Sequence, residues 1–308
     1  MRVLILSIAL VAAAGCAQRR FINVTPNRPA PEGNAASSAG APADSLSAYM
    51  AKFREMAANA RPEGRPAPRT VEGSDPALAA AVLAATAQPS PETYRNAAEE
   101  YRRVRVYDRA LDYLTGALKF DAKDATTHDA LARVWRDSGL PHVGLGDSYR
   151  AIYYAPKSAA AHNTLGTLFQ AMGRRGDART QYEIAARLDP VAAYAHNNLC
   201  YGWILEGDSS RALQACRRAL SLDPESPIAH NNAGLAYALA GDMTAARESF
   251  AHAGRAAAAY NSGVVNLATR KWDEASKDFL DALAADPSLR SAAMRVRQAI
   301  DMKNGGTQ

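Results

Sequence analysis

Apolar residues recur at helical spacing along most of the chain, broken by short polar turns. Between Ala195 and Pro224 they mark two amphipathic segments joined at Gly207-Asp208. Thirty-four residues later the pattern returns as His230-Asn231-Asn232-Ala233-Gly234-Leu235, then Gly241-Asp242, Ala246 and Phe250. Thirty-four residues earlier it stands as His162-Asn163-Thr164-Leu165-Gly166, then Phe169, Gly173, Ala178 and Tyr182. A fixed period of this length in helix–turn–helix units predicts an all-α solenoid.

Small residues give the register. Ala117, Ala151, Ala185, Ala219 and Ala253 keep a 34-residue step, as do Ala110, Gly144, Ala178, Ala212 and Ala246. Antiparallel helices approach closely only where side chains are small, so these sites set the hairpin geometry. Tyr101, Trp135, Phe169, Trp203 and Tyr237 fill the complementary places on the first helix of each unit, and Pro156, Pro190, Pro224 and Pro287 mark where second helices end. The spacing predicts repeats over 91–124, 125–158, 159–192, 193–226, 227–255 and 256–289. The fifth is short, because Ala282 follows Ala253 after 29 residues. A capping helix is expected over 75–90, opening at Asp75-Pro76, and another in 290–308, with Arg290, Arg295 and Arg297.

This combination resembles the tetratricopeptide repeat across about residues 91–289. The resemblance implies an all-α tetratricopeptide-repeat solenoid of about six repeats, with the first helices lining a concave groove.

Residues 1–15 carry one basic residue and then an apolar run too short to span a bilayer, which reads as an export signal. Ala13-Ala14-Gly15-Cys16 resembles the bacterial lipobox, with Ala where Leu is usual. The resemblance implies that Cys16 becomes the lipidated first residue and that the protein is held to a membrane by its acyl chains. Ala17 in place of Asp leans towards the outer membrane. The alternative is an ordinary signal peptide with a chance Cys. Residues 16–74 are rich in Pro, Ala, Ser, Asn and Gly and read as a tether. Within them, 44–58 reads as a short amphipathic helix, with Leu46, Tyr49, Met50, Phe53 and Met56 on one face. It serves either to dock a partner or to pack on the chain's own solenoid.

Aromatic residues make up 7% of the chain and Val and Ile are sparse, which fits helices; the net charge of +5 is spread along the chain, which argues against nucleic-acid binding. His128, His162, His196 and His230 stand 34 apart. On successive repeats they lie about 10 Å from one another, too far to share a metal ion, and a packing role is expected. Beside them run Asn163, Asn197 and Asn231, with Asn198 and Asn232 adjacent. A row of amides, each both donor and acceptor, can hold the backbone of an extended peptide without demanding a sequence; the alternative is a solvated polar face. Glu92, Arg95, Glu99, Arg102, Arg103, Asp129, Arg133 and Arg136 make the first two repeats charged, as a second, salt-sensitive contact or as a solvated end. Cys200 and Cys216 face one hairpin interior. In an oxidising envelope they are expected to form a disulfide worth about 3 kcal/mol in the chain-entropy model; the alternative is two buried thiols.

Phosphate loops, nucleophile elbows and clustered metal ligands do not occur in the sequence, so no catalytic domain, cofactor or small-molecule substrate is expected. An enzyme accessory with a cryptic site is the different-class alternative. The early Cys16, the His-Asn-Asn repeats with Gly-Asp turns, and the short repeat passing into Ala259-Tyr260-Asn261-Ser262-Gly263-Val264 are together similar to the lipoproteins of the tight-adherence (Flp) pilus system, TadD-like proteins. That similarity implies a non-catalytic, periplasm-facing scaffold whose partners are pilus and secretin assembly components. The alternatives are a type IV pilus pilotin and an adaptor for cell-wall enzymes.

Overall fold

The computed structural model describes residues 75–305. The export signal, Cys16, the tether and the 44–58 segment lie outside the described residues. The described chain is all-α and forms two compact units that divide between Gly173 and Arg174. In the first, α1 (Pro76–Ala87) precedes the hairpins α2–α3 (Pro91–Arg103, Tyr107–Ala117) and α4–α5 (Ala125–Asp137, Pro141–Tyr154), followed by α6 (Ala159–Ala171). In the second, α7 (Arg175–Leu188) precedes the hairpins α8–α9 (Ala193–Glu206, Ser209–Leu222), α10–α11 (Pro227–Ala240, Met243–Ala251) and α12–α13 (Arg255–Ala268, Trp272–Ala285), and α14 (Arg290–Lys303) follows.

The Gly-Asp turns have a local cause. Gly207 ends α8 at φ 81° and Gly241 ends α10 at φ 87°, a left-handed conformation open to glycine. The next residue caps the following helix. Asp208 accepts from the Arg211 N–H at 2.9 Å, and Asp242 from the Ala245 N–H at 3.0 Å. The same turn position recurs at Arg105 (φ 64°), Gly139, Gly173 and Arg270 (φ 62°), so two of the six turns place an arginine where glycine is favoured. The step from Gly241 to Arg270 is 29 residues because α11 is only 9 residues long.

The small positions lie where helices touch. Ala110, Ala151, Ala212, Ala219, Ala246, Ala275 and Ala282 are fully buried. Gly234 sits so close to Phe250 that a β-carbon there would lie 2.4 Å from the ring. In the first unit Leu78, Tyr101, Leu111, Leu114, Leu131 and Trp135 form the core. The second unit has two, one around Trp203, Ile204, Leu235 and Phe250, the other around Tyr260, Val264 and Phe279. Each buried large side chain contributes about 1.5–3 kcal/mol, which offsets the ordering of a chain made of short helices.

Candidate functional site

In the second unit the asparagines lie on the first helices of successive hairpins, paired rather than free. Asn232 of α10 donates its amide to the Asn197 carbonyl of α8 at 2.9 Å, and Asn261 of α12 donates in the same way to the Asn231 carbonyl of α10. Both ties use the oxygen of the Asn at the fifth position of its repeat. The Nδ2 groups of Asn197 and Asn231 have no partner among the described residues. Two amides that could have offered either sense are thereby oriented, each keeping its donors open on a half-buried side chain.

The groove reading is corrected for Asn232, which is only 4% exposed. One residue further along a helix is a turn of about 100°, enough to rotate this side chain from the surface to the neighbouring helix. Asn198 is half-buried at the same position of its repeat. Asn163 lies on α6 in the first unit, also half-buried. Asn261 was missed; its signal was the Asn-Ser-Gly run one residue after Tyr260. Beside the open donors, Tyr194 is 44% exposed and Ile228 52%, each at the second position of its repeat. Tyr201, on the following turn of α8, has its hydroxyl pushed up to about 12 by burial, against the opposing pull of Arg175.

The histidines do more than pack. His128, His162, His196 and His230 each bring Nε2 to a backbone carbonyl six residues earlier: Ala122, Pro156, Pro190 and Pro224, at 3.0, 3.4, 3.0 and 2.8 Å. Those carbonyls lie just past the end of the preceding second helix, where backbone acceptors lack helical partners. The ring closes the turn between repeats. His128 is buried and its Nδ1 also meets Asp147 at 3.0 Å. Among the described residues no cluster of three or more His, Cys, Asp or Glu is arranged to hold a metal.

The charged surface of the first unit pairs mostly with itself. Arg102 bridges Glu99 and Asp137, Arg133 reaches Glu99 at 3.2 Å, Arg136 meets Asp137 at 2.8 Å and the Thr167 hydroxyl at 2.7 Å, and Arg95 pairs with Asp124. Bonding to Arg102 holds the Glu99 carboxyl below its ordinary range. Burial pushes Asp137 up, but Arg136 and Arg102 outweigh it and the net shift is down. Asp129 goes the other way: burial raises its pKa more than Thr164, Arg133 and Arg136 lower it, and its Oδ1 is buried without a partner.

The α8–α9 hairpin carries a covalent staple. Cys200 and Cys216 are joined by a disulfide with a Cα–Cα distance of 5.1 Å. Trp203 is covered by two guanidinium groups, Arg211 at 3.8 Å and Arg179 at 4.5 Å from the ring centre.

A tetratricopeptide repeat model matches residues 163–200 and 206–254. These hairpins are tetratricopeptide repeats. Subunit cut9 of the anaphase-promoting complex of Schizosaccharomyces pombe is 27% identical over 78 residues, 25% of this chain and 12% of that one, so the chain spans only a small part of that relative. Among solved structures, Cut9 in the Cut9–Hcn1 assembly matches with a TM-score of 0.62 at 16% identity, over 72% of this chain and 45% of that one. PilW, a widely conserved type IV pilus biogenesis factor, matches at 0.58 and 19%, over 68% of this chain and 98% of that one. PilF of Pseudomonas aeruginosa matches at 0.54 and 18%, over 68% and 95%. At these identities the likeness is one of fold.

Proposed function

We propose that the protein is a non-catalytic scaffold that captures an extended segment of a partner protein on the first helices of its repeats. The observation that carries this reading is the orientation of Asn197 and Asn231. Their carbonyls are tied to the neighbouring repeat and their N–H groups remain open, one repeat apart, next to exposed Tyr194 and Ile228. Such a pair suits backbone carbonyls of a peptide, with apolar side chains resting on the tyrosine and isoleucine. Asn163 extends the same position into the first unit's sequence.

In this reading Cys16 carries the lipid anchor, the protein faces the periplasm, the outer membrane is the favoured site, and the partner is a component of Flp/Tad pilus or secretin assembly. The Cys16 lipobox and the repeat sequence support that assignment, and the fold shared with PilW is compatible with it. A pilotin for a type IV pilus secretin is the second reading, favoured by the same likeness to PilW.

The test is complementation of a deletion strain. The wild-type chain restores secretin multimers and surface pili. The Cys16→Ser chain leaves the membrane fraction, and the Asn163→Ala/Asn197→Ala/Asn231→Ala chain stays in it without restoring pili. Full piliation by the triple variant counts against the groove, and a Cys16→Ser chain that stays in the membrane counts against the anchor.

A further inference from the structure

The first described helix is apolar on all sides yet covered on only one. From Pro76 to Ala87, α1 carries no charged residue, and its one polar side chain, Thr86, returns its hydroxyl to the Val82 carbonyl at 2.9 Å. Leu78 and Val82 pack onto the first unit's core, and Ala85 is buried. The opposite face, Pro76, Ala80, Leu83 and Ala87, is exposed, Leu83 by 69%. A helix that is apolar all round is normally enclosed.

Its place in the unit is that of a second helix. Helices α3 and α5 are second helices of hairpins, each packed on a first helix that precedes it in sequence. By its packing on α2, α1 also stands as a second helix, but no first helix precedes it among the described residues. In the sequence of 59–74, Pro62, Pro66 and Pro68 break any helical pattern. The nearest segment with a helical pattern is 44–58.

We propose that residues 44–58 dock on the exposed face of α1, through Leu46, Tyr49, Met50, Phe53 and Met56, and complete a terminal helix pair. The start of α1 is pinned, since Asp75 caps it and pairs with Arg103. From that point the 16 residues 59–74 reach up to about 50 Å, well beyond the roughly 18 Å length of α1. A tethered segment meets the face at an effective concentration in the millimolar range, far above that of a second copy. The bulky Tyr, Phe and Met side chains on the segment complement the shallow Ala and Leu surface of α1.

Two measurements on the full chain test this. With a photoreactive benzoylphenylalanine in place of Leu83, irradiation is expected to give an adduct of monomer size that maps to residues 44–58. An adduct of dimer size, an adduct elsewhere, or none within 44–58 overturns the proposal. In limited trypsin digestion, Leu83→Glu is expected to speed cleavage after Lys52 and Arg54 about tenfold, while cleavage after Arg69 in the connector stays constant. Equal cleavage after Lys52 and Arg54 in both chains overturns it. Because Leu83 is a surface residue, a matching circular dichroism melt confirms that the repeats remain folded.

Discussion

Asn232 donates its side-chain amide to the Asn197 carbonyl at 2.9 Å, linking α10 to α8 across adjacent repeats. The bond joins a buried residue to a half-buried one, so it both ties the repeats and sets which way Asn197 presents its remaining donors. Asn232→Ala is expected to cost about 1–2 kcal/mol in urea denaturation, from the lost bond and the acceptor left behind. Asn198→Ala, at the same repeat position in α8, is the comparison for a half-buried asparagine. A loss at Asn232 below the scatter of surface substitutions would contradict the tie.

The Cys200–Cys216 bond closes a 16-residue separation inside one hairpin. Reduction is expected to lower stability by about 3 kcal/mol in the chain-entropy model. Denaturation midpoints with and without reductant measure this. Full labelling of both thiols in unreduced, denatured protein would show that the bond is absent.

Arg105 takes the turn position that glycine holds at 139, 173, 207 and 241. A left-handed arginine costs about 1–2 kcal/mol, partly offset by the greater chain entropy that glycine loses on folding. Arg105→Gly is therefore expected to stabilise the protein by about 0.5–1 kcal/mol, seen as a higher melting temperature. The reverse change, Gly207→Arg, is expected to lower it.

Asp129 sits at the fifth position of its repeat, which asparagine fills in the next three. Burial raises its pKa above the unfolded value near 4, so the ionised form is disfavoured in the folded state. The sign follows: any stability from this group is fully present below the unfolded pKa and lost as pH rises through the folded one. Asp129→Asn is expected to be the more stable protein at pH 7, by up to about 1 kcal/mol, with the difference fading towards pH 3. An asparagine variant less stable at pH 7 would show that Arg133 and Arg136 outweigh burial.

Much of the fold was legible because it is repeated. A single alanine says little, but Ala110, Ala178, Ala212 and Ala246 at one step identify a contact between helices, and the 29-residue step located the short α11. The site was less legible. The amide row could be read from spacing, but one residue along a helix separates surface from interior, so Asn197 and Asn232 looked alike in sequence. The histidine role was hidden for another reason. Comparing the histidines with each other suggested packing, whereas their partners are backbone carbonyls six residues back, which carry no side-chain signal. The strained turns could have been found, since Arg105 and Arg270 fall in register with the turn glycines.

Capture of a partner from cross-linked cell envelope by the Asn163→Ala/Asn197→Ala/Asn231→Ala chain, compared with wild type, tests the central claim most directly. The expected result is that wild type recovers a pilus or secretin component and the triple variant, with an unchanged melt, loses at least about 90% of it, as removal of roughly 1.4 kcal/mol of binding dictates. Equal recovery of the same partner by both chains would contradict capture through the asparagine row.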